Sequence, residues 1–209
     1  MGMFYSEDTG IYRCGIWKMN EDEDQLRKIL GDYEISNPFT NPKKRIEYLS
    51  VRALAMMMDI DPASIAYLPS GKPYLKNNDT NISISHTKGY AAIVLSKLDN
   101  IGTDIEQKTE RILKIRHKFM RPNEEKIISE QAGEALIPIL LHWSAKESLF
   151  KAIPDEGVDF IKELQITNFT PPAEKGHFNA NALRSGTTFQ IDYRVENDFV
   201  FTACFPLNP

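Results

Sequence analysis

The chain has 209 residues, 42% of them hydrophobic and 26% charged, which suits an ordinary soluble globular protein of one large domain or two small lobes. A net charge of −4 argues against a nucleic-acid partner. The longest apolar stretch, Ala135 to Leu141, is broken by Pro138 and is far too short to cross a bilayer, so no membrane association is expected.

In chain order, Ile11 to Met19 reads as a strand. Asn20 is placed to cap a helix through about Leu30, with acids from Glu21 to Asp24 in its first turn and Gly31 as its stop. Asn41 caps a second helix, with Pro42 at the first helical position. That helix runs to about Met58 and turns Ile46, Leu49, Ala53 and Met56/Met57 to a core, with Lys43, Lys44, Arg45 and Arg52 elsewhere. Short strands follow over 64–68, 81–85, 90–96 and 100–106. Helices are expected over 111–119, from Pro122 to about Ser129, and from about Glu134 to Ala152, where Pro138 must mark a kink or the true first turn. The tail is β again, over 164–169, 177–183, 187–195 and 199–205, with Glu196-Asn197-Asp198 as the last hairpin turn and 170–176 as a surface loop.

The order repeats: a long helix, then a meander of short strands. It predicts an α+β protein of two similar lobes, a pseudo-dimer, each a small mostly antiparallel sheet packed on a long helix. The lobes are expected over 1–100 and 101–209, with an active site in the cleft between them. Cys14 and Cys204 are the two cysteines, in unrelated apolar strands. They read as buried, reduced thiols of a cytoplasmic protein. No secretory signal is visible at the start of the sequence.

Two acidic segments carry the most chemistry. In Gly102-Thr103-Asp104-Ile105-Glu106, strand alternation sends Asp104 and Glu106 to one face. In Trp143-Ser144-Ala145-Lys146-Glu147-Ser148-Leu149-Phe150-Lys151, helical spacing puts Trp143, Glu147 and Lys151 on one stripe. Taken singly, Asp-x-Glu reads as a solvated strand face, and Glu147/Lys151 as an ordinary i, i+4 pair. Folded together they gather three carboxylates and an ammonium. Two carboxylates ~4 Å apart repel by roughly 4 kcal/mol at an effective dielectric near 20, so the cluster calls for a cation. Three hard oxygen ligands with room for water suit Mg²⁺, which takes its remaining ligands from water and substrate phosphates.

Other features read two ways. Ser85-His86 ends a strand, and adjacent strand residues point to opposite faces, which disfavours a hydrolase dyad. His86 either caps a hairpin or contacts a phosphate. Gly71-Lys72-Pro73 is a turn in which glycine also lets the backbone approach a ligand. Lys43, Lys44, Arg45 and Arg52 are either a solvated helix face or an anion site near a helix N-terminus. Glu124 fits a first-turn helix acid, and Trp143 is expected to pack beneath the acids.

As a set, Gly71-Lys72-Pro73, Ile84-Ser85-His86, Ile101 to Glu106, Phe119 to Glu124 and Trp143 through Lys151 resemble the Sfp-type 4′-phosphopantetheinyl transferases, in order and spacing, from about residue 43 to 151. The resemblance implies an enzyme that moves 4′-phosphopantetheine from coenzyme A to a serine of an apo acyl or peptidyl carrier protein. Adenosine 3′,5′-bisphosphate is the second product, and Mg²⁺, or Mn²⁺ in its place, sits on the diphosphate. It makes Asp104, Glu106 and Glu147 the metal ligands, with Glu147 a candidate base for the serine hydroxyl and Asp104 and Lys151 its catalytic companions. Arg45, Arg52, Gly71, Lys72, Ser85, His86 and Lys151 become the coenzyme A residues, with His86 and Arg45 best placed for the 3′-phosphate. It implies a monomer whose partners are coenzyme A and a carrier protein, with no nucleic acid. One departure stands out: the family's glycine-rich stretch after the last lysine reads Ala152-Ile153-Pro154-Asp155-Glu156-Gly157-Val158 here. Two rival readings are another Mg²⁺-dependent phosphoryl enzyme, such as a nucleotide phosphodiesterase, and a non-catalytic module that binds coenzyme A or carrier protein.

Overall fold

A computed structural model describes residues 2–33, 38–130, 133–154, 157–170 and 172–207. The chain folds as two compact units, Met1–Lys97 and Leu98–Pro209. Each is α+β and carries an antiparallel sheet, the class expected from the sequence.

In the first unit, β1 (Met3–Asp8) pairs with β2 (Arg13–Lys18). The expected strand over 11–19 is β2; β1 escaped the periodicity because it lies mostly exposed and lacks a buried alternating face. Helix α1 (Glu23–Leu30) is capped two residues beyond the expected position. Asn20 donates its backbone N–H to Lys18, while Asp22 forms a reciprocal capping box with Gln25. Helix α2 (Pro42–Met57) begins as expected, with the Asn41 side chain accepting from the N–H groups of Lys43 and Lys44. Leu49, Ala53 and Leu54 are fully buried. A large apolar side chain removed from water in this way contributes roughly 1.5–3 kcal/mol.

After α2, β3 (Ile65–Tyr67) and β4 (Pro73–Leu75) form a two-stranded ribbon. Its turn is closed by bonds from Gly71 N–H to the Leu68 carbonyl and from Leu68 N–H to Lys72, and Gly71 has a φ of 87° that favours glycine. Thus Pro73 opens a strand, where only a turn was expected. β5 (Asn81–Thr87) and β6 (Tyr90–Ser96) complete a four-stranded sheet of order β1-β2-β6-β5. Central β6 is buried throughout, and α2 packs on it.

The second unit opens with β7 (Gly102–Gln107). The expected helix over 111–119 is shorter, α3 (Arg111–Ile115), followed by a 3-10 turn at Arg116–Lys118. Helix α4 (Pro122–Ser129) matches expectation. The long helix is α5 (Leu136–Ala152), with Pro138 in its first turn, where a missing N–H costs least. β8 (Leu164–Thr167), β9 (Lys175–Ala182), β10 (Thr187–Val195) and β11 (Phe199–Pro206) follow. The expected loop over 170–176 is therefore shorter, since Lys175 and Gly176 already belong to β9; Pro171 lies outside the described residues. The sheet order is β7-β11-β10-β9-β8, antiparallel throughout.

Helix α5 lies across β7 and β11. A polar seam joins them: the Ser144 and Ser148 hydroxyls meet the Thr202 hydroxyl at 2.9 and 2.5 Å, and Thr103 donates to the Thr202 carbonyl at 2.8 Å. All four residues are fully buried, so these bonds satisfy groups that would otherwise be costly to desolvate. No helix among the described residues is long and apolar enough to cross a membrane. Cys14 and Cys204 are buried, and neither is in a disulfide.

Candidate active site

The alternation of β7 and the helical stripe of α5 meet at both ends. Trp143 donates its indole N–H to Glu106 Oε1 at 2.8 Å. Eight residues on, the Lys151 ammonium donates to Asp104 Oδ1 and to the Thr103 carbonyl, each at 2.9 Å. Glu147 lies midway along the same stripe, partly buried, and its carboxylate makes no hydrogen bond to a described residue. Asp104 is buried at 4% exposure, so its pairing with Lys151 acts in a shielded environment rather than in open water.

The charges of these groups act on one another. Glu147 is pushed up to about 7, first by burial and then by the negative charge of Asp104, with Lys151 opposing and Glu106 adding to the rise. Glu106 is also raised, by burial and by Asp104, against the Trp143 hydrogen bond and Lys151. Crowded, poorly solvated carboxylates beside a single ammonium are the expected cause of such shifts.

Three carboxylates against one ammonium leave an excess of negative charge, and their oxygens are the donor type that hard divalent cations take. By donor type, though not by spacing, the set suits Mg²⁺. Among the described residues no three His, Cys, Asp or Glu side chains are closed around a metal-sized site, and the cation in contact with Asp104 is Lys151.

Apart from Lys151, the coenzyme A candidates lie in the first unit. Lys44, Glu47, Tyr48 and Arg52 of α2 and His86 of β5 line one cavity of about 520 Å³. Arg52 is 2% exposed, contrary to a solvated helix face, and its guanidinium stacks 3.4 Å from the centre of the Tyr48 ring. His86 is half exposed, with Nδ1 3.9 Å from Glu47 Oε2. Ser85 is buried on the opposite side of the strand, as alternation requires. Arg45 does not line this cavity: it donates to Glu23 Oε2 at 2.7 Å and to the Thr40 carbonyl at 2.6 Å. Gly71 and Lys72 sit exposed in the β3–β4 turn, also outside the cavity.

In the second unit the sequence did not anticipate some partners. Glu124 is the first-turn acid of α4 that was expected, and it is fully buried. Its Oε2 accepts from Lys146 at 2.8 Å and from the Arg121 N–H at 2.8 Å, and its Oε1 accepts from the Ile166 N–H at 2.8 Å. Lys146, also fully buried, reaches the Phe119 and Phe160 carbonyls at 2.6 and 3.2 Å. Burial pushes the Lys146 ammonium below the usual lysine range, and Glu124 opposes that fall. His142 is buried with Nδ1 2.8 Å from the Pro138 carbonyl, and burial lowers it to about 4. A lysine inside a long apolar helix was the available signal for the first pair.

The comparison with known families points to a transferase. Residues 100–204, half of the chain, match the 4′-phosphopantetheinyl transferase superfamily, and the chain belongs to it. Proteins of this superfamily act on carrier proteins with coenzyme A as donor, generally with Mg²⁺. No curated protein matches the chain at a significant level.

Proposed function

We propose that the protein is a two-lobed, Sfp-type enzyme that transfers 4′-phosphopantetheine from coenzyme A to a serine of an apo acyl or peptidyl carrier protein. The observation that carries this reading is the meeting of the Trp143–Glu147–Lys151 stripe with the Asp104/Glu106 face, inside the family-matching segment. The serine oxygen attacks the phosphorus joined to pantetheine. The bond from that phosphorus to the bridging oxygen breaks, and adenosine 3′,5′-bisphosphate leaves with that oxygen. The serine proton passes to the Glu147 carboxylate, the member of the cluster that makes no hydrogen bond to a described residue. Lys151, held by Asp104 and Thr103, places positive charge where the leaving phosphate gains negative charge. Asp104, Glu106 and Glu147 would hold Mg²⁺ or Mn²⁺, which neutralises diphosphate charge when bound. Phosphoryl transfer asks a protein mainly for positioning and charge neutralisation, and this set offers both.

In the first unit, Arg52 and His86 with Arg45, Gly71, Lys72 and Ser85 would hold coenzyme A. Both sets are carried by one chain, which supports action as a monomer, and the two buried cysteines outside any disulfide support a cytoplasmic setting. The test is incubation with coenzyme A, Mg²⁺ and a panel of apo carrier proteins, read by mass spectrometry. A phosphopantetheine adduct on at least one carrier is expected. No adduct on any carrier, together with hydrolysis of free nucleotides, would reject the transferase reading in favour of a phosphodiesterase.

A further inference from the structure

Buried ion pairs are costly unless their remaining hydrogen-bonding capacity is met, and the Glu124–Lys146 pair meets it. Lys146 has three N–H donors, and they face three acceptors: Glu124 Oε2 and the carbonyls of Phe119 and Phe160. Glu124 is in turn tied to the start of α4 and to β8 through the N–H groups of Arg121 and Ile166. The bonds of both side chains run to each other, to Phe119, Phe160, Arg121 and Ile166, and not to the acid cluster. The two backbone segments that Lys146 grips, however, carry the rings that wall in Trp143. The Phe119 ring lies 5.0 Å from the Trp143 ring and the Phe160 ring 5.8 Å from it, centre to centre. The indole so confined donates its N–H to Glu106.

We infer that Lys146 and Glu124 are positioning residues: locked together in the core, they hold Phe119 and Phe160 where those rings fix the indole of Trp143, and through it the carboxylate of Glu106. The relevance to turnover rests on the proposed function; the mechanical claim does not. A lysine in a buried helix could be satisfied by any nearby carbonyl. This one takes the two segments that carry the aromatic walls, next in sequence to Glu147. An oriented Glu106 keeps its oxygens at a set distance from Asp104 and Glu147, and misplacing a reacting group by about 1 Å can cost on the order of 100-fold in rate.

The test compares the full-length protein with Lys146→Met, Glu124→Gln and the double variant, by the ¹H–¹⁵N resonances of the two tryptophan indoles. Trp143→Phe assigns the two signals. Each single variant strands a polar partner in the core; the double variant replaces both charges with neutral groups and is the one expected to fold most nearly like the parent. In the double variant the Trp143 indole signal is expected to move in the direction produced by Glu106→Gln, while the Trp17 signal stays in place. If the transferase reading holds, kcat falls by about tenfold or more, with KM for coenzyme A little changed. A Trp143 signal unchanged in a folded Lys146→Met or double variant overturns the inference, whatever the activity. Absence of transferase activity in the parent, with the indole shift present, rejects the proposed function and leaves the positioning role standing.

Discussion

Gly102 and Ser148 meet backbone to backbone: a Cβ built on Gly102 would stand 1.9 Å from the Ser148 carbonyl oxygen and 3.1 Å from the Ala152 nitrogen. The missing side chain lets α5 settle onto β7, and Lys151, one turn beyond Ser148, then reaches Asp104. Because the clash is with helix backbone and not with a flexible side-chain end, Gly102→Ala must push the helix away. We predict a stability loss of about 3 kcal/mol in urea denaturation, the upper end for overpacking. A loss below about 0.5 kcal/mol, the usual range for neutral surface changes, would show that the contact is not a constraint.

Asp104→Ala removes the acceptor that holds Lys151 and one of three carboxylates proposed to bind the divalent ion. Phosphopantetheine transfer is expected to fall by about 100-fold or more, as when a single preorganised electrostatic group is removed from a reaction centre. Raising Mg²⁺ should not restore the parent rate. Full activity at modest Mg²⁺ would contradict the assignment.

His86 shares the first-unit cavity with Arg52 and is half exposed, so its loss is unlike a core deletion. His86→Ala is expected to weaken binding of coenzyme A by about tenfold, the scale of a lost hydrogen bond to a charged group. Binding of 3′-dephospho-coenzyme A should change little. Isothermal titration with both ligands checks this, and an equal loss for the two rejects a role at the 3′-phosphate.

His142 predicts a specific acid sensitivity. Its folded value is about 4 against 6.5 in the unfolded chain, because burial disfavours the imidazolium. Between those values the unfolded chain takes up a proton that the folded protein refuses. Stability is thus unaffected by this group above about pH 6.5 and falls as pH drops toward 4, by up to about 3 kcal/mol. His142→Gln should flatten that part of the curve in urea titrations from pH 7 to 4. An unchanged slope would mean another group controls it.

The acid cluster was legible because both of its halves are local patterns. A period of two placed Asp104 with Glu106, and a period of four aligned Trp143, Glu147 and Lys151; the bond between Trp143 and Glu106 agrees with the expectation that the indole packs against the acids. Local signals also placed the Asn41 cap and the start of α4 at Pro122. Asp22 and β1 were harder. The sequence reading put the cap at Asn20, two residues before Asp22, which forms the capping box; β1 is an exposed edge strand with little hydrophobic contrast. Arg52 shows the limit on the other side: helical spacing grouped it with basic neighbours, yet it is stacked on Tyr48 and buried.

Residue order alone was enough for the α+β class and for the helix and strand periods, because each is written in spacings of a few residues, and its motifs resembled the superfamily that residues 100–204 match. Pairings across distance were decided only in three dimensions: Lys146 with Glu124, Arg45 with Glu23, Ser144 and Ser148 with Thr202. A buried polar group takes whichever partner the packed backbone brings within about 3 Å, and that distance is set by the assembled core, to which no local pattern has access.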